Sequence, residues 1–367
     1  MCVCEPRPCV ASPAMVSLRE QGRNNGGPMR IMNRRLTFAG LGLALIALNL
    51  TTLAAHAQSA RHRDTVQVGI IDRTFFFQPV VVAIQNGYFA DEGLIANIRF
   101  IRSGEGQADG LLKGDLHFAL SSVEGILQNA ERGGPLRLLA ANSGKLSHFI
   151  IAQKKFKAIE DLKGATVGIL TLTEGSFFNW QEIAAKHGLK YPEDYKVMQT
   201  TGASARHHLL LEGRIDVGLQ SIPWAFVAED AGFSNLGSAS EYVPEWQFTT
   251  YNVNGDWAKA NARKVEGFLR AILRATDWIY RNGPQASEIA AREMNIKVSY
   301  AERAWEYYTQ TGTLTRDLAL SEPGLRKVFD AQVKAGLLLA TATFDPKKYI
   351  AAGYLERARA AVKKYRD

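Results

Sequence analysis

Polar residues follow a short apolar run at two places in this chain of 367 residues. Residues 66–71 read as a buried strand, residues 72–78 follow it, and Pro79 suits the first turn of a helix. Residues 171–177 stand in the same relation to an apolar run at 165–170. Free N–H groups at the start of a helix bind anions and oxygen-rich groups. The pattern therefore predicts non-covalent binding of a small ligand at the carboxyl ends of parallel strands.

The two places belong to an internal repeat with an offset of 99 residues. VGIIDRT at 68–74 resembles VGILTLT at 167–173, and LLKGDLHFALSS at 111–122 shares five identities with LLEGRIDVGLQS at 210–221. A period near 100 is too long for a solenoid. It predicts two similar α/β lobes that face each other across a cleft.

Strand and helix patterns alternate as far as residue 253, which is typical of an α/β fold with mostly parallel strands. The predicted strands are 66–71, 97–102, 116–121, 136–141, 148–153, 165–170, 195–200, 215–220 and 248–253. Beyond residue 256 the pattern is helical, and its apolar stripe comprises Leu269, Ile272, Leu273, Thr276 and Ile279. Further helices are predicted at 284–294, 299–311, 323–337 and 346–364.

The N-terminal part resembles a secretory signal peptide at 29–57. Basic residues precede an apolar run at 36–53, and Ala55-His56-Ala57 forms a cleavage site, so we predict cleavage after Ala57 and a periplasmic location. A membrane anchor is the alternative, because the run of about 18 residues is near the lower limit for spanning. We interpret Met29 or Met32 as the start, which leaves 1–28 as an upstream extension that translation from either methionine would omit. The general secretion route is favoured over the twin-arginine route.

Charge and cysteine content exclude several classes of function for residues 58–367. Cys2, Cys4 and Cys9 all precede the predicted cleavage site, which excludes a disulfide framework, a thiol nucleophile and a cysteine-ligated metal in the mature chain. Removal of 1–57 lowers the net charge from +8 to +4, and no dense basic run remains. Nucleic-acid binding therefore has little support. The histidines show no metal-ligand spacing, and we predict neither a metal nor a cofactor.

Three segments carry a resemblance to a known family. They are AIQNGYFADEGL at 83–94, DLKGATVGIL at 161–170 and EGRIDVGLQSIPWAFVAEDAGF at 212–233. The first has Gly87, Tyr88, Phe89, Gly93 and Leu94 in the positions of a motif found in periplasmic binding proteins of nitrate/taurine/sulfonate-type ABC importers. That family includes binding proteins for thiamine-pyrimidine precursors.

The resemblance implies a two-lobed type II periplasmic binding protein, an α/β fold with two crossing strands near 147–151 and 248–253. Lobe 1 would combine 64–149 with the mostly helical 251–367, and lobe 2 would comprise 150–250. It also implies that ABC permease subunits in the inner membrane are the partners, and we expect a monomer with no enzymatic activity.

Candidate ligand-binding residues come from three equivalent elements in the two lobes. The exits of the first strands supply Asp72, Arg73, Thr74, Phe76, Phe77, Gln78, Thr171, Thr173, Glu174, Gly175 and Ser176. The exits of the third strands supply Ser121, Ser122, Gln220, Ser221 and Trp224, and the loops after the second strands supply Ser103, Thr201 and Ser204. Asn142 and Tyr251 are secondary candidates. For hydroxyl residues the alternative is helix or turn capping, and for aromatic residues it is core packing.

The ligand follows from the same residues. Arg73, Arg102 and Arg206 could each supply charge for an acidic ligand, and the sequence does not choose among them. The Phe75–Phe77 run indicates an apolar or planar part of the ligand. We therefore predict a solute receptor for a small organic anion, with a thiamine-precursor-like heterocycle second. The main alternative is a thiamine-pyrimidine-type biosynthetic enzyme or another small-molecule enzyme on the same fold, and a third is the ligand-sensing half of a regulator.

Overall fold

The computed structural model describes residues 63–364, and the predicted signal peptide, its cleavage site and the extension 1–28 lie outside them. Ten strands lie within the described residues. They are β1 (Asp64–Ile70), β2 (Leu94–Phe100), β3 (Phe118–Ser122), β4 (Leu136–Ser143), β5 (His148–Ala152), β6 (Thr166–Ile169), β7 (Lys196–Gln199), β8 (Val217–Ser221), β9 (Ser234–Ser238) and β10 (Thr249–Asn254).

The strands form two five-stranded sheets with the same topology. The first sheet has the order β2-β1-β3-β10-β4 and the second has the order β7-β6-β8-β5-β9. In each sheet one strand runs antiparallel to both of its neighbours, β10 in the first and β5 in the second. The chain passes from the first sheet to the second between β4 and β5, and it returns between β9 and β10. The predicted two-lobed α/β fold is confirmed, and lobe 1 and lobe 2 below denote the parts built on the first and second sheets.

The repeat of 99 residues is also a repeat of strand register. Val68 in β1 pairs with Phe118 in β3, and Val167 in β6 pairs with Val217 in β8. Gly69 pairs with Arg99 on the other side, and Gly168 pairs with Met198. Each residue number in the second lobe exceeds its counterpart by 99. A sequence position in one lobe therefore has a structural equivalent in the other.

Helices cover both sheets. They are α1 (Gln78–Gln85), α2 (Tyr88–Asp91), α3 (Gly104–Lys113), α4 (Glu124–Glu131), α5 (Gly175–Lys186), α6 (Ala203–Leu211), α7 (Trp224–Asp230), α8 (Ala239–Tyr242), α9 (Gly255–Ala260), α10 (Ala262–Arg281), α11 (Gly283–Met294), α12 (Val298–Gln310), α13 (Glu322–Lys334), α14 (Pro346–Tyr349) and α15 (Tyr354–Lys364). Short 3₁₀-helices span Phe75–Phe77 and Ile159–Leu162. Within 63–364, none of these helices has the length and apolar character needed to cross a membrane.

The predicted apolar stripe of α10 packs against the first sheet. All five of its residues are buried, and Phe268 on the same helix stacks on Phe118 of β3 with ring centroids 3.9 Å apart. Two later helices reach lobe 2. Arg303 of α12 pairs with Asp230 of α7 at 3.1 Å, and Lys327 of α13 pairs with Glu182 of α5 at 2.9 Å. The helical C-terminal part thus contacts both lobes.

Two secondary-structure predictions differ from the structure by more than a shift of a few residues at the ends of an element. The helix predicted at 346–364 is two helices, because Gly353 lies between them with φ of +86°, a left-handed conformation that an α-helix does not contain. The strand β9 was not predicted. It contains Gly237 and several half-buried residues, so it lacks the apolar run by which the other strands were identified.

Candidate functional site

A cavity of about 100 Å³ lies between the two lobes at the carboxyl ends of β1, β3, β6 and β8. Ten of the predicted residues line it. They are Asp72, Thr74, Phe76, Phe77, Ser121 and Ser122 of lobe 1, and Glu174, Gly175, Ser176 and Ser221 of lobe 2. The remaining wall comprises Ile70, Ile71, Leu120, His148, Leu170, Gly202, Ala203, Arg206, Phe248 and Thr249. The equivalent strand exits of the two lobes therefore meet at one place, as the repeat predicted.

Several of the other predicted residues support the wall without lining it. Asn142 donates to the carbonyl of Phe76 at 3.1 Å and accepts from the Tyr251 hydroxyl at 2.8 Å. Gln220 donates to the backbone carbonyl of Arg206 at 3.4 Å. Trp224 packs on His207, with ring centroids 5.1 Å apart. These side chains hold cavity residues or their neighbours in position.

The rest of the predicted set makes local or interlobe contacts. Gln78 donates to the Ala286 carbonyl, Ser103 caps α3 by accepting from Gly106 N, and Thr201 is exposed. Thr171 and Thr173 hydrogen-bond each other in the turn before α5, and Thr173 lines a small annex beside the main cavity. Ser204 donates to Asp72 across the cleft.

Of the three candidate arginines, Arg206 is the one that lines the cavity. Its stem lies across Gly168 of β6 and Gly218 of β8, where an added Cβ would be 3.2 Å and 3.1 Å from Arg206 carbons. The two glycines therefore leave the groove that the side chain occupies. Arg206 is 3% exposed, and its Nε has no hydrogen-bond partner among the described residues. Burial lowers its pKa to about 10, and the charge of Asp72 acts in the opposite direction, so the guanidinium stays charged at neutral pH.

Arg73 and Arg102 lie at the outside of the cleft. Arg73 is exposed and donates to the backbone carbonyl of Glu293 at 3.3 Å. Arg102 is 54% exposed, and its Nη1 lies 3.9 Å from Asp72 Oδ1. Neither side chain lines the cavity, so the structure distinguishes Arg206 from the other two.

His148 was not among the predicted site residues, although it is the first residue of the crossing strand β5. It pairs with Ser221 of β8, just as Thr249 of the other crossing strand pairs with Ser122 of β3. Burial, followed by the charge of Arg206, lowers the pKa of His148 to about 3, so the ring is neutral, and its Nδ1 has no partner among the described residues. The sequence could have indicated His148, because an antiparallel strand that begins beside the carboxyl end of β8 must place its first residue at the site.

Glu174 and Glu124 place two buried carboxyl groups beside the cavity, one from each lobe. Glu174 Oε1 accepts from Gly104 N at 3.0 Å. Burial and the charge of Glu124 raise the pKa of Glu174 to about 7. Burial also raises the pKa of Glu124 to about 7, and the nearby Ser122 hydroxyl and Gly175 N–H lower it in part. Neither Glu124 oxygen makes a hydrogen bond of normal geometry with the described residues. Sequence reasoning missed Glu124, whose position at the start of α4 resembles an ordinary first-turn acid.

Aromatic rings form the apolar part of the cavity wall. Phe76 meets Phe248 edge to face, with ring centroids 5.1 Å apart, and both line the cavity with Phe77. Phe75 instead stacks on Tyr308 at 4.7 Å in the core. Two of the three consecutive phenylalanines therefore line the cavity, and the third packs in the core. Within the described residues, no cluster of three or more His, Cys, Asp or Glu side chains is arranged to hold a metal.

Two α/β lobes, joined by two crossing connections around a cleft, define the periplasmic-binding-protein fold. The nitrate-binding protein NrtA of Synechocystis PCC 6803 shares this fold with a TM-score of 0.68 and 13% identity, covering 83% of this chain and 90% of that one. The alkanesulfonate-binding protein SsuA of Xanthomonas axonopodis, solved with MOPS bound, gives a TM-score of 0.61 and 16% identity over 77% of this chain and 94% of that one.

The chain belongs to the NMT1/THI5-like family, which matches residues 74–286. The Brucella abortus protein BAB2_1146, whose name describes it as a binding protein, is 26% identical over 88% of this chain and 98% of its own length. The yeast 4-amino-5-hydroxymethyl-2-methylpyrimidine phosphate synthase THI5 is 25% identical over 64% of this chain and 73% of its own length. The resemblance stated from the sequence is therefore confirmed.

Proposed function

We propose that this protein is the extracytoplasmic solute receptor of an ABC importer and that its solute is a small organic anion. The buried guanidinium of Arg206 carries this proposal. A buried charge is costly unless it is paired, and the Nε of Arg206 has no partner in the described part of the chain. A carboxylate or sulfonate in the cavity would provide that partner and could accept two parallel hydrogen bonds.

The other polar groups suit an anion as well. Ser122, Ser176 and Ser221 bring hydroxyl groups to the wall, and Thr249 adds a fourth. Hydroxyls can donate to an oxyanion without adding charge. His148 is neutral, so one of its ring nitrogens donates as well.

The size and the aromatic wall restrict the solute further. A cavity of about 150 Å³ lined by apolar side chains holds benzene, and this cavity is about 100 Å³. Phe76, Phe77 and Phe248 offer apolar surface in the same cavity. The solute we expect therefore has one acidic group and a compact apolar part.

The two-lobed fold supports capture and delivery of the solute. The two crossing connections allow one lobe to rotate against the other, so that closure encloses the solute between them. The closed receptor would then dock on a permease in the inner membrane, which fits the predicted signal peptide and the periplasmic location named for NrtA.

Calorimetric titration tests the solute class. We expect the purified protein to bind a short-chain carboxylate or alkanesulfonate and not the matching neutral amide. The repeat places Gln107 of lobe 1 at the position equivalent to Arg206. The substitution Arg206→Gln therefore introduces the residue of the other lobe, and this variant should bind the solute at least about 30-fold more weakly. Arg102→Gln is the matched control and should change affinity less than about threefold, because that charge is exposed.

Two results would contradict the proposal. Equal binding of anions and their neutral amides would refute the anionic solute. Chemical conversion of the bound solute by the purified protein would refute the receptor function and favour the enzymatic alternative, to which the similarity with THI5 points.

A further inference from the structure

Two carboxylates cross the cleft, one from each lobe. Asp72 follows β1 in lobe 1, and its Oδ2 accepts from the backbone N of Ser204 at 2.9 Å and from the Ser204 hydroxyl at 2.7 Å, at the start of α6 in lobe 2. Glu174 follows β6 in lobe 2, and its Oε1 accepts from Gly104 N at 3.0 Å, at the start of α3 in lobe 1. Each lobe thus caps a helix of the other.

The two capped helices are related by the internal repeat, although the capping carboxyls Asp72 and Glu174 are not at equivalent positions. Helix α3 begins at Gly104 and α6 begins at Ala203, which differ by 99 residues. Both carboxylates leave the exit of the first parallel strand of their lobe, and both reach the first turn of the same helix in the opposite lobe. The contact is therefore made twice, once in each direction.

The Asp72 cap has the features of a strong hydrogen bond, and the Glu174 cap has the same geometry with a carboxyl whose pKa is raised to about 7. The first turn of a helix has N–H groups without backbone partners and the positive end of the helix dipole, and it binds carboxylates well. The Asp72 side chain is 9% exposed and Glu174 is 6% exposed, so water screens neither contact strongly. A third interlobe bond lies beside them, from Thr173 Oγ1 to Glu105 Oε1 at 3.2 Å.

We propose that Asp72 and Glu174 form a reciprocal latch that holds the two lobes together without any solute. All the bonded atoms belong to the protein, so the latch does not depend on the class of solute. The solute then enters through transient opening, and closure does not have to be driven by its own anionic group. Because the caps occupy the starts of α3 and α6, the solute's acidic group is directed to Arg206.

Interlobe distances in the solute-free protein test the latch. Spin labels on cysteines introduced at the exposed positions Asp109 and Arg214, with Cys2, Cys4 and Cys9 changed to serine, report the distance between the lobes. Asp72→Asn removes one charged cap. Gly104→Ala places a Cβ 2.7 Å from Glu174 Oε1 and so blocks the other cap, at a position whose backbone suits alanine. Each substitution should raise the ratio of open to closed molecules about tenfold or more.

Gly125→Ala is the matched control, because the nearest atom to its added Cβ is 4.0 Å away, and its distance distribution should equal that of the parent protein. Cooperative thermal melts establish that each variant is folded. If Asp72→Asn does not fold, the interlobe distances of Gly104→Ala alone test the latch. Parent-like distances in the folded variants would overturn the latch. Since no solute is present, that result would leave the proposed receptor function untouched.

Discussion

Position 107 in lobe 1 and position 206 in lobe 2 are related by the repeat, and they hold glutamine and arginine. Each side chain lies against a glycine in the first parallel strand of its lobe, Gln107 on Gly69 and Arg206 on Gly168. Each glycine also faces an equivalent aliphatic side chain, Leu116 or Ile215. Both polar residues are buried. One packing arrangement therefore holds a neutral amide in lobe 1 and a charge in lobe 2.

A second pair of equivalent segments shows the same division. Phe75–Phe77 follows β1, and Glu174 to Ser176 occupies the equivalent positions after β6. Lobe 1 thus supplies aromatic wall where lobe 2 supplies a carboxyl, a glycine and a hydroxyl. The frame of strands and glycines is common to both lobes, and the specialisation lies in side chains at their carboxyl ends. At these equivalent positions a solute between the lobes meets aromatic rings on one side and polar groups on the other.

Placing the charge of lobe 2 into lobe 1 should have the largest effect on stability. Gln107→Arg would bury a guanidinium where the parent protein has a neutral amide, at a cost of about 3–5 kcal/mol in the free energy of unfolding. Urea unfolding measures the loss, and Gln107→Met is the control of similar length without charge. Parent-like stability of Gln107→Arg would mean that the two positions differ in their surroundings as well as in their residues.

The buried pair Glu124 and Glu174 predicts that the effect of Glu124→Gln on the free energy of unfolding depends on pH. Their pKa values rise from 4.5 to about 7 in the folded protein, so the stability associated with their protonated form is complete below pH 4.5 and is lost as pH rises through 7. Glu124→Gln should therefore stabilise the protein by up to about 3 kcal/mol at pH 8. At pH 4 it should have little effect.

Unfolding at both pH values measures this difference. The comparison between variant and parent is needed because His148 and His207, whose pKa values are lowered, act in the opposite sense in both proteins. An equal effect of Glu124→Gln at pH 4 and pH 8 would show that the carboxyl does not titrate in this range.

Alanine substitution at the equivalent glycines Gly69 and Gly168 separates the effect of packing on stability from the effect of site geometry on solute affinity. An added Cβ would be 2.5 Å from Leu116 Cδ1 at Gly69 and 2.5 Å from Ile215 Cδ1 at Gly168, so each substitution should cost about 1–3 kcal/mol. Only Gly168→Ala also crowds Arg206, so solute affinity should fall in that variant and not in Gly69→Ala. Equal affinity in both variants would argue that the stem of Arg206 can move without loss of binding.

The smallest effects should come from two equivalent backbone caps. His117 Nδ1 accepts from Gln67 N at 2.8 Å, and Asp216 Oδ2 accepts from Thr166 N at 3.0 Å, again 99 residues apart. Alanine at either position should cost about 1 kcal/mol. Denaturant titration measures both free energies of unfolding, and a difference between the two variants of much more than about 1 kcal/mol would contradict the equivalence of the lobes at this position.

Much of the fold could be predicted because its signals are local. Apolar runs such as 66–71 identified most strands, and the stripe on α10 identified the face that covers the first sheet. The repeat added long-range information, since equal offsets at β1 and β3 required equal register in the two lobes. The strand β9 lacks such a signal, because its residues are partly exposed and include glycine.

The site could be predicted only in part. Residues at strand exits, such as Ser122 and Ser221, reach the cavity because their position alone directs them there. The choice among the three arginines required three-dimensional packing, since only Arg206 has two glycines beneath its stem. Glu124 could not be found from the sequence because its burial depends on the contact between lobes.

The two crossing strands have a mechanical consequence. Displacement during a rotation grows with distance from its axis, and any rotation between the lobes must bend the chain where β5 and β10 begin. His148 and Thr249 stand at those points, so they move least of all the cavity residues. A solute bound by these two residues would therefore be displaced much less during opening and closure than the residues at the outer edges of the cleft.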